Sequence, residues 1–190
     1  MALLSVKNRQ KYLKALGFYG GEIDGKVGAK TKLAYRAIQE RYFTRAADID
    51  GLYGKNTDIL LRNAYNVSVY CKNFKLEEFR CKCKDSCTGY PQVIDTQLLI
   101  NLQALRDAFG TLIVTSCLRC EAHNKAVGGA SSSRHVSGKA ADIKCPTTLS
   151  EAGRKSVMDY WKALSKYRYT YCNIGGNYPN MGTSVHVDVK

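Results

Sequence analysis

The stretch SSRHVSGKAADI, residues 132–143, sets His135 seven positions ahead of Asp142, with Gly138 and Ala140 between them, in a chain of 190 residues that has only three histidines. A catalytic zinc site takes imidazole nitrogen and carboxylate oxygen from the protein and keeps one position for water, so His135 and Asp142 could be two of three ligands. The third must come from elsewhere. His186 lies in SVHVDV, residues 184–189, where apolar and polar residues alternate. That pattern predicts a short strand with His186 and Asp188 on one face, and it makes His186 the candidate third ligand. On spacing alone, a second reading stands level with this one: His135 is a loop histidine and His186 an exposed strand residue.

Composition bounds the answer. With 45% hydrophobic and 24% charged residues the chain has globular composition, and its length suits one ordinary domain or two small ones. No run of eighteen apolar residues occurs, and the start MALLSVKNRQKYLKALGFYGG lacks the apolar core of a secretory signal. Stable membrane insertion and export by the general secretory route are therefore not expected. The net charge of +13 is spread over both halves and favours anionic surroundings of any kind. No recognised nucleic-acid-binding motif accompanies it, so nucleic acid is not an expected partner.

All eight cysteines, at 71, 81, 83, 87, 117, 120, 145 and 172, fall in the second part of the chain. Two clusters, Cys81, Cys83 and Cys87 and the pair Cys117 and Cys120, invite a structural zinc or a disulfide reading. A four-thiolate site usually draws on two close pairs, and three cysteines plus one distant partner would be irregular. The expectation is that most are reduced and buried.

The first part carries an internal repeat. Ile23-Asp24-Gly25-Lys26-Val27-Gly28-Ala29-Lys30-Thr31 returns as Ile49-Asp50-Gly51-Leu52-Tyr53-Gly54-Lys55-Asn56-Thr57. In each copy Asp-Gly makes a turn and the stretch after the second Gly opens a helix. Leu33, Ala34, Ala37 and Ile38 follow the first copy at helical spacing, and Ile59, Leu60 and Ala64 follow the second. Tyr12, Leu13 and Leu16 predict a shorter helix ending at Gly17. Val67–Asn73 reads as a linker or entry strand. Beyond it come a helix over 96–109 stopped by Gly110, a buried strand over 112–116, a helix over 151–164, and strands around Gly175, Gly176 and Gly182. The expected fold is α+β: a small all-α helical bundle over residues 1–66, followed over residues 74–190 by an α+β domain whose antiparallel sheet carries the metal site.

Two resemblances sharpen this. Gln10, Leu13, Leu16-Gly17-Phe18-Tyr19, Gly21, Ile23-Asp24-Gly25, Gly28, Thr31 and Gln39 resemble the type 1 peptidoglycan-binding domain. That resemblance implies that the first region holds bacterial peptidoglycan beside the turns at Asp24, Gly25, Asp50 and Gly51; the bland alternative is that these turn residues only cap helices. Thr115-Ser116-Cys117-Leu118-Arg119, Asn124, Val127-Gly128-Gly129-Ala130, the run Ser133, His135, Gly138, Ala140, Asp142, and the late His186-Val187-Asp188 resemble the M15 zinc peptidases, which include D-alanyl-D-alanine carboxypeptidases and phage endolysin peptidases.

The second resemblance implies one catalytic Zn2+ held by His135, Asp142 and His186, with Arg119 and Ser133 contacting substrate and Arg119 polarising a carbonyl or clamping a carboxylate. Gly138 and Ala140 would be small because the backbone passes close to the ion, while Val136 and Ile143 anchor the segment. Many family members carry an acidic residue three positions before the last histidine, where this chain has Thr183. Asp188 is then the first candidate for general base, with orientation of an imidazole as its alternative role, and Glu121 and His123 in reserve. The implied protein is a peptidoglycan hydrolase of endolysin type, a monomer made in the bacterial cytoplasm that acts on the wall after release. It would cleave an amide bond of the peptide stem by zinc-activated water. The rival is a wall-binding protein with a degenerate zinc site.

Overall fold

In the computed structural model of the chain, which describes residues 1–84 and 86–190, three helices come first: α1 (Val6–Ala15), α2 (Ala29–Tyr42) and α3 (Lys55–Tyr70). Ser5 caps α1 by accepting from the Asn8 N–H, and Leu13, Ile38, Leu60 and Leu61 close the core between the three. Leu33 departs from expectation. It sits at helical spacing but is 67% exposed, because the buried stripe of α2 runs through Thr31, Ala34, Tyr35, Ile38 and Gln39.

The expected linker is not one. Val67–Tyr70 forms the last turn of α3 and Cys71 ends it, since Val67 and Cys71 are buried against the core. Two β-branched valines made this stretch look extended, and burial of Val67 on the helical stripe overrides that local preference. The helix then carries the first region directly onto the second. Asn63 donates through Nδ2 to the Gln92 carbonyl at 2.8 Å and accepts the Ile94 N–H at 2.8 Å. One continuous apolar core runs from Leu13 through Phe74 and Phe79 to Val187.

The second region contains α4 (Thr96–Phe109), β1 (Ile113–Ser116), α5 (Glu121–Ala126), β2 (Ala140–Lys144), α6 (Glu151–Ala163), β3 (Tyr167–Cys172) and β4 (Val185–Val189). Asp95 caps α4, and Gly110 ends it with a φ of 78° that a side chain would resist. The four strands form one antiparallel sheet in the order β1-β2-β4-β3. As an edge strand, β1 is less buried than its apolar sequence suggests: Val114 is covered, while Ile113 is 57% exposed.

Alternation divides the sheet. Ala141, Ile143, Val185, Val187 and Val189 point into the core with Trp161, which donates from its indole N–H to the Asp188 carbonyl. Asp142, His186 and Asp188 point to the other face. The register aligns them with neighbours: Ser116 pairs with Asp142, Asp142 with His186, and His186 with Tyr171. A single row across four strands thus brings together residues that lie far apart in the chain.

Candidate metal centre

Three donors converge on this row. His186 Nδ1 lies 2.8 Å and His135 Nε2 3.4 Å from Asp142 Oδ1, and one ligand atom from each residue lies within 4.8 Å of the others. All three residues are buried. Strand pairing fixes Asp142 and His186. His135 arrives from the loop before β2, and its Nδ1 sits 2.7 Å from the Cys117 carbonyl. A carbonyl can only accept, so Nδ1 carries the proton and Nε2 presents its lone pair toward Asp142.

The donor chemistry fits a divalent ion of intermediate softness: two imidazole nitrogens and one carboxylate, already aimed at a common point. Burial pushes the Asp142 carboxyl up, yet the two imidazoles beside it outweigh burial and hold the pKa well below the ordinary value. Burial pulls His186 down, and its contacts with Asp142 and Asp188 more than reverse this, leaving it raised.

The residues around the donors add contacts that the sequence does not show. Asp188 does lie on the His186 face, but its Oδ2 stands 3.5 Å from Nε2, the ring nitrogen turned away from Asp142. It is 2% exposed and takes an ion pair from Arg168 Nη1 at 2.9 Å. A buried carboxylate beside one imidazole nitrogen and engaged by an arginine has the geometry that would suit orientation of the His186 ring. Arg168, whose partner is 20 residues further along the chain, has no sequence signal. Nor has Tyr171, whose ring stacks on His186 with centroids 4.6 Å apart.

Arg119 is drawn into the centre. Its Nη2 donates to Asp142 Oδ2 at 2.8 Å and its Nε to Ser116 Oγ at 3.0 Å. It also lines a cleft of about 320 Å³ with Gln92, Glu121 and Val136. Ser133 lies on an adjoining cleft with Gln92 and Ser137. Thr183 is half-buried. Gly138 owes its smallness to something other than an ion: its φ is 71°, and a Cβ there would stand 2.3 Å from the Val93 carbonyl oxygen.

The sequence that builds this centre matches a known pattern. Residues 72–188 fit the family model described as Peptidase M15. The chain belongs to the peptidase M15 family. Residues 4–57 fit the model of a putative peptidoglycan binding domain. Among curated proteins, the zinc D-Ala-D-Ala carboxypeptidase of Streptomyces albus G is 28% identical over 191 residues, covering 94% of this chain and 70% of that protein.

Within this M15 chain the two repeated turns have an internal use. Gln10 Nε2 donates to Asp24 Oδ1 and the Lys26 carbonyl, while its Oε1 accepts the Gly25 N–H. Gln39 repeats this with Asp50, Leu52 and Gly51. Gly25 and Gly51 take φ of 77° and 73° to allow it. Asp24 and Asp50 brace the turns through Gln10 and Gln39, while Gly28 and Gly54 stand at the N-caps of the helices that follow. Beside the second turn, Lys32, Leu33, Arg36, Asp50, Gly51 and Leu52 line an open groove of about 400 Å³. No helix among the described residues is long and apolar enough to cross a membrane.

Proposed function

We propose that the protein is a zinc peptidase of the bacterial cell wall, hydrolysing an amide bond in the peptide stem of peptidoglycan while its N-terminal helices hold the polymer. The convergence of His135 Nε2, Asp142 Oδ1 and His186 Nδ1 carries this reading. Those three residues would hold one Zn2+, which supplies a Lewis acid and lowers the pKa of water toward neutrality.

The chain's own residues do the rest. The Cys117 carbonyl and Asp188 fix the tautomers of the two imidazoles. Arg119 bridges Asp142 and the cleft, so its guanidinium is available to a substrate carbonyl or to the carboxylate of a D-amino acid. Of the acidic residues singled out in the sequence, Glu121 shares that cleft and is our candidate to accept and return the proton. The similarity to a D-Ala-D-Ala carboxypeptidase favours cleavage next to a terminal D-residue. The endolysin type, with action on the wall after release from the cytoplasm, rests on the pairing of a wall-binding region with a peptidase and on the charge of +13. The groove of Lys32, Leu33, Arg36 and Leu52, which Asp50 and Gly51 of the second turn also line, is the proposed wall contact, with two cations and apolar surface available to an anionic polymer.

A second reading, wall binding without cleavage, is favoured by Thr183 and by the engagement of Asp188 with Arg168. Mass spectrometry of fragments released from purified peptidoglycan separates the two. Native, chelated and zinc-restored protein and His135→Ala are compared. New amino and carboxyl ends that require both zinc and His135 establish the peptidase and name the bond. Binding without new ends establishes the adaptor.

A further inference from the structure

Four thiols that the hydrolytic centre does not use meet at a second point. Cys81, Cys83 and Cys87 lie in the segment after a turn of 3-10 helix at Leu76–Phe79, and Cys120 caps α5 far along the chain. Their sulfurs all lie within 4.8 Å of one another, with Cys83 Sγ and Cys87 Sγ at 3.3 Å. Cys81 is buried and the other three half-buried. The partner that looked too distant in the sequence is brought in by the fold, where the Cys120 N–H donates to Cys81 Sγ at 3.3 Å.

We infer that Cys81, Cys83, Cys87 and Cys120 form a second, structural zinc site, separate from the hydrolytic centre. A tetrahedral ion with Zn–S bonds of about 2.3 Å places its four sulfurs roughly 3.8 Å apart, which is the spacing scale of this cluster. Paired disulfides would leave two bonded sulfurs at about 2.05 Å with no reason for all four to surround one point. Backbone N–H groups of Gly89, Cys120 and His123 donate to the sulfurs of Cys87, Cys81 and Cys120, an arrangement that suits sulfur carrying negative charge. Binding joins one Zn2+ to four thiols and releases about four protons to solvent, leaving a net charge of about −2. Arg80, Lys82 and Lys84 flank the ligands in sequence and offset that charge.

The site has a positional consequence. It ties Cys81, Cys83 and Cys87 to Cys120, the neighbour of Arg119, and Ser86, Arg119, Cys120 and Glu121 all line one cleft. The thiolate site therefore sets the wall from which Arg119 reaches Asp142.

Zinc per chain decides the matter, measured by plasma mass spectrometry on protein purified under reductant. Intact protein, His135→Ala, Cys83→Ser and Cys120→Ser are compared, and thiols are counted in denaturant with chelator. The expected result is two zinc equivalents in the intact protein and one in each variant, with X-ray absorption of His135→Ala showing an all-sulfur shell. One zinc in the intact protein that survives His135→Ala and is lost in Cys120→Ser supports this site and overturns the catalytic-metal reading instead. A His135→Ala protein without zinc overturns the proposal, as does a thiol deficit that reports disulfides among these four. If the cysteine variants fail to fold, Co2+ loaded into His135→Ala decides alone: a strong thiolate-to-cobalt band supports the site, and its absence overturns it.

Discussion

Asp142 and His186 face each other in direct register across β2 and β4, with Oδ1 and Nδ1 2.8 Å apart. Because side chains on paired strands are held by the ladder itself, two of the three candidate metal donors are placed by backbone geometry alone. A one-residue slip of β4 would turn His186 into the core. The centre therefore stands or falls with the register of one strand pair.

Arg119→Lys should lower kcat/KM by about 10-fold to 100-fold with little change in zinc content. A guanidinium reaches Ser116 and Asp142 together, and an ammonium can satisfy one of them. Steady-state kinetics on a stem-peptide substrate, with zinc measured in parallel, checks this.

Asp188→Asn separates orientation from proton transfer. An orienting carboxylate predicts a loss of about 10-fold to 100-fold in zinc affinity or rate, with the acidic limb of the pH–rate profile kept. Loss of that limb would instead make Asp188 the base. Glu121→Gln is expected to remove the limb.

Gln39→Leu should cost about 3 kcal/mol in urea unfolding. The substitution nearly keeps the volume but leaves Asp50, the Leu52 carbonyl and the Gly51 N–H without the bonds that Gln39 gives them. A loss below about 0.5 kcal/mol would show that water replaces the side chain.

Acid should weaken the N-terminal region through Asp58. Burial pushes this carboxyl up, but the Leu4 N–H, Arg62 and the Tyr53 hydroxyl together hold its pKa below the ordinary value. A folded-state pKa below the unfolded one gives stability that is complete above the unfolded value of about 3.9 and disappears as pH falls through the folded value. The stability gap between native protein and Asp58→Asn should thus be wide at neutral pH and narrow on acidification below about pH 4. Thermal unfolding across that range tests the sign.

Much of this was legible before any coordinates, for identifiable reasons. The helix over 96–109 announces itself by apolar spacing and the Gly110 stop, and the one expected over 151–164 by its amphipathic pattern, which the structure ends at Ala163. His186 and Asp188 follow from alternation. What the sequence hid depends on tertiary context. Val67–Tyr70 looks extended until Val67 finds a core to enter, and Leu33 looks buried until Tyr35 and Ile38 take that face. Arg168 and Tyr171 reach the centre from a strand whose register no local pattern specifies. Cys120 meets the other thiols only because β1 turns back over the 76–79 segment, where the Leu118 N–H donates to the Phe79 carbonyl.

The Asn63 bracket and the unbroken core behind it limit the reach of this molecule. Two parts joined by a flexible linker can sweep a radius around their point of attachment. Here α3 runs straight from one part into the other, so the blade sits at a set offset from the grip. Cutting sites would then be sampled by rebinding at successive points along the polymer, and exchanging the anchoring helices for those of another protein would expose the face of α3 that Leu60, Leu61 and Val67 keep dry.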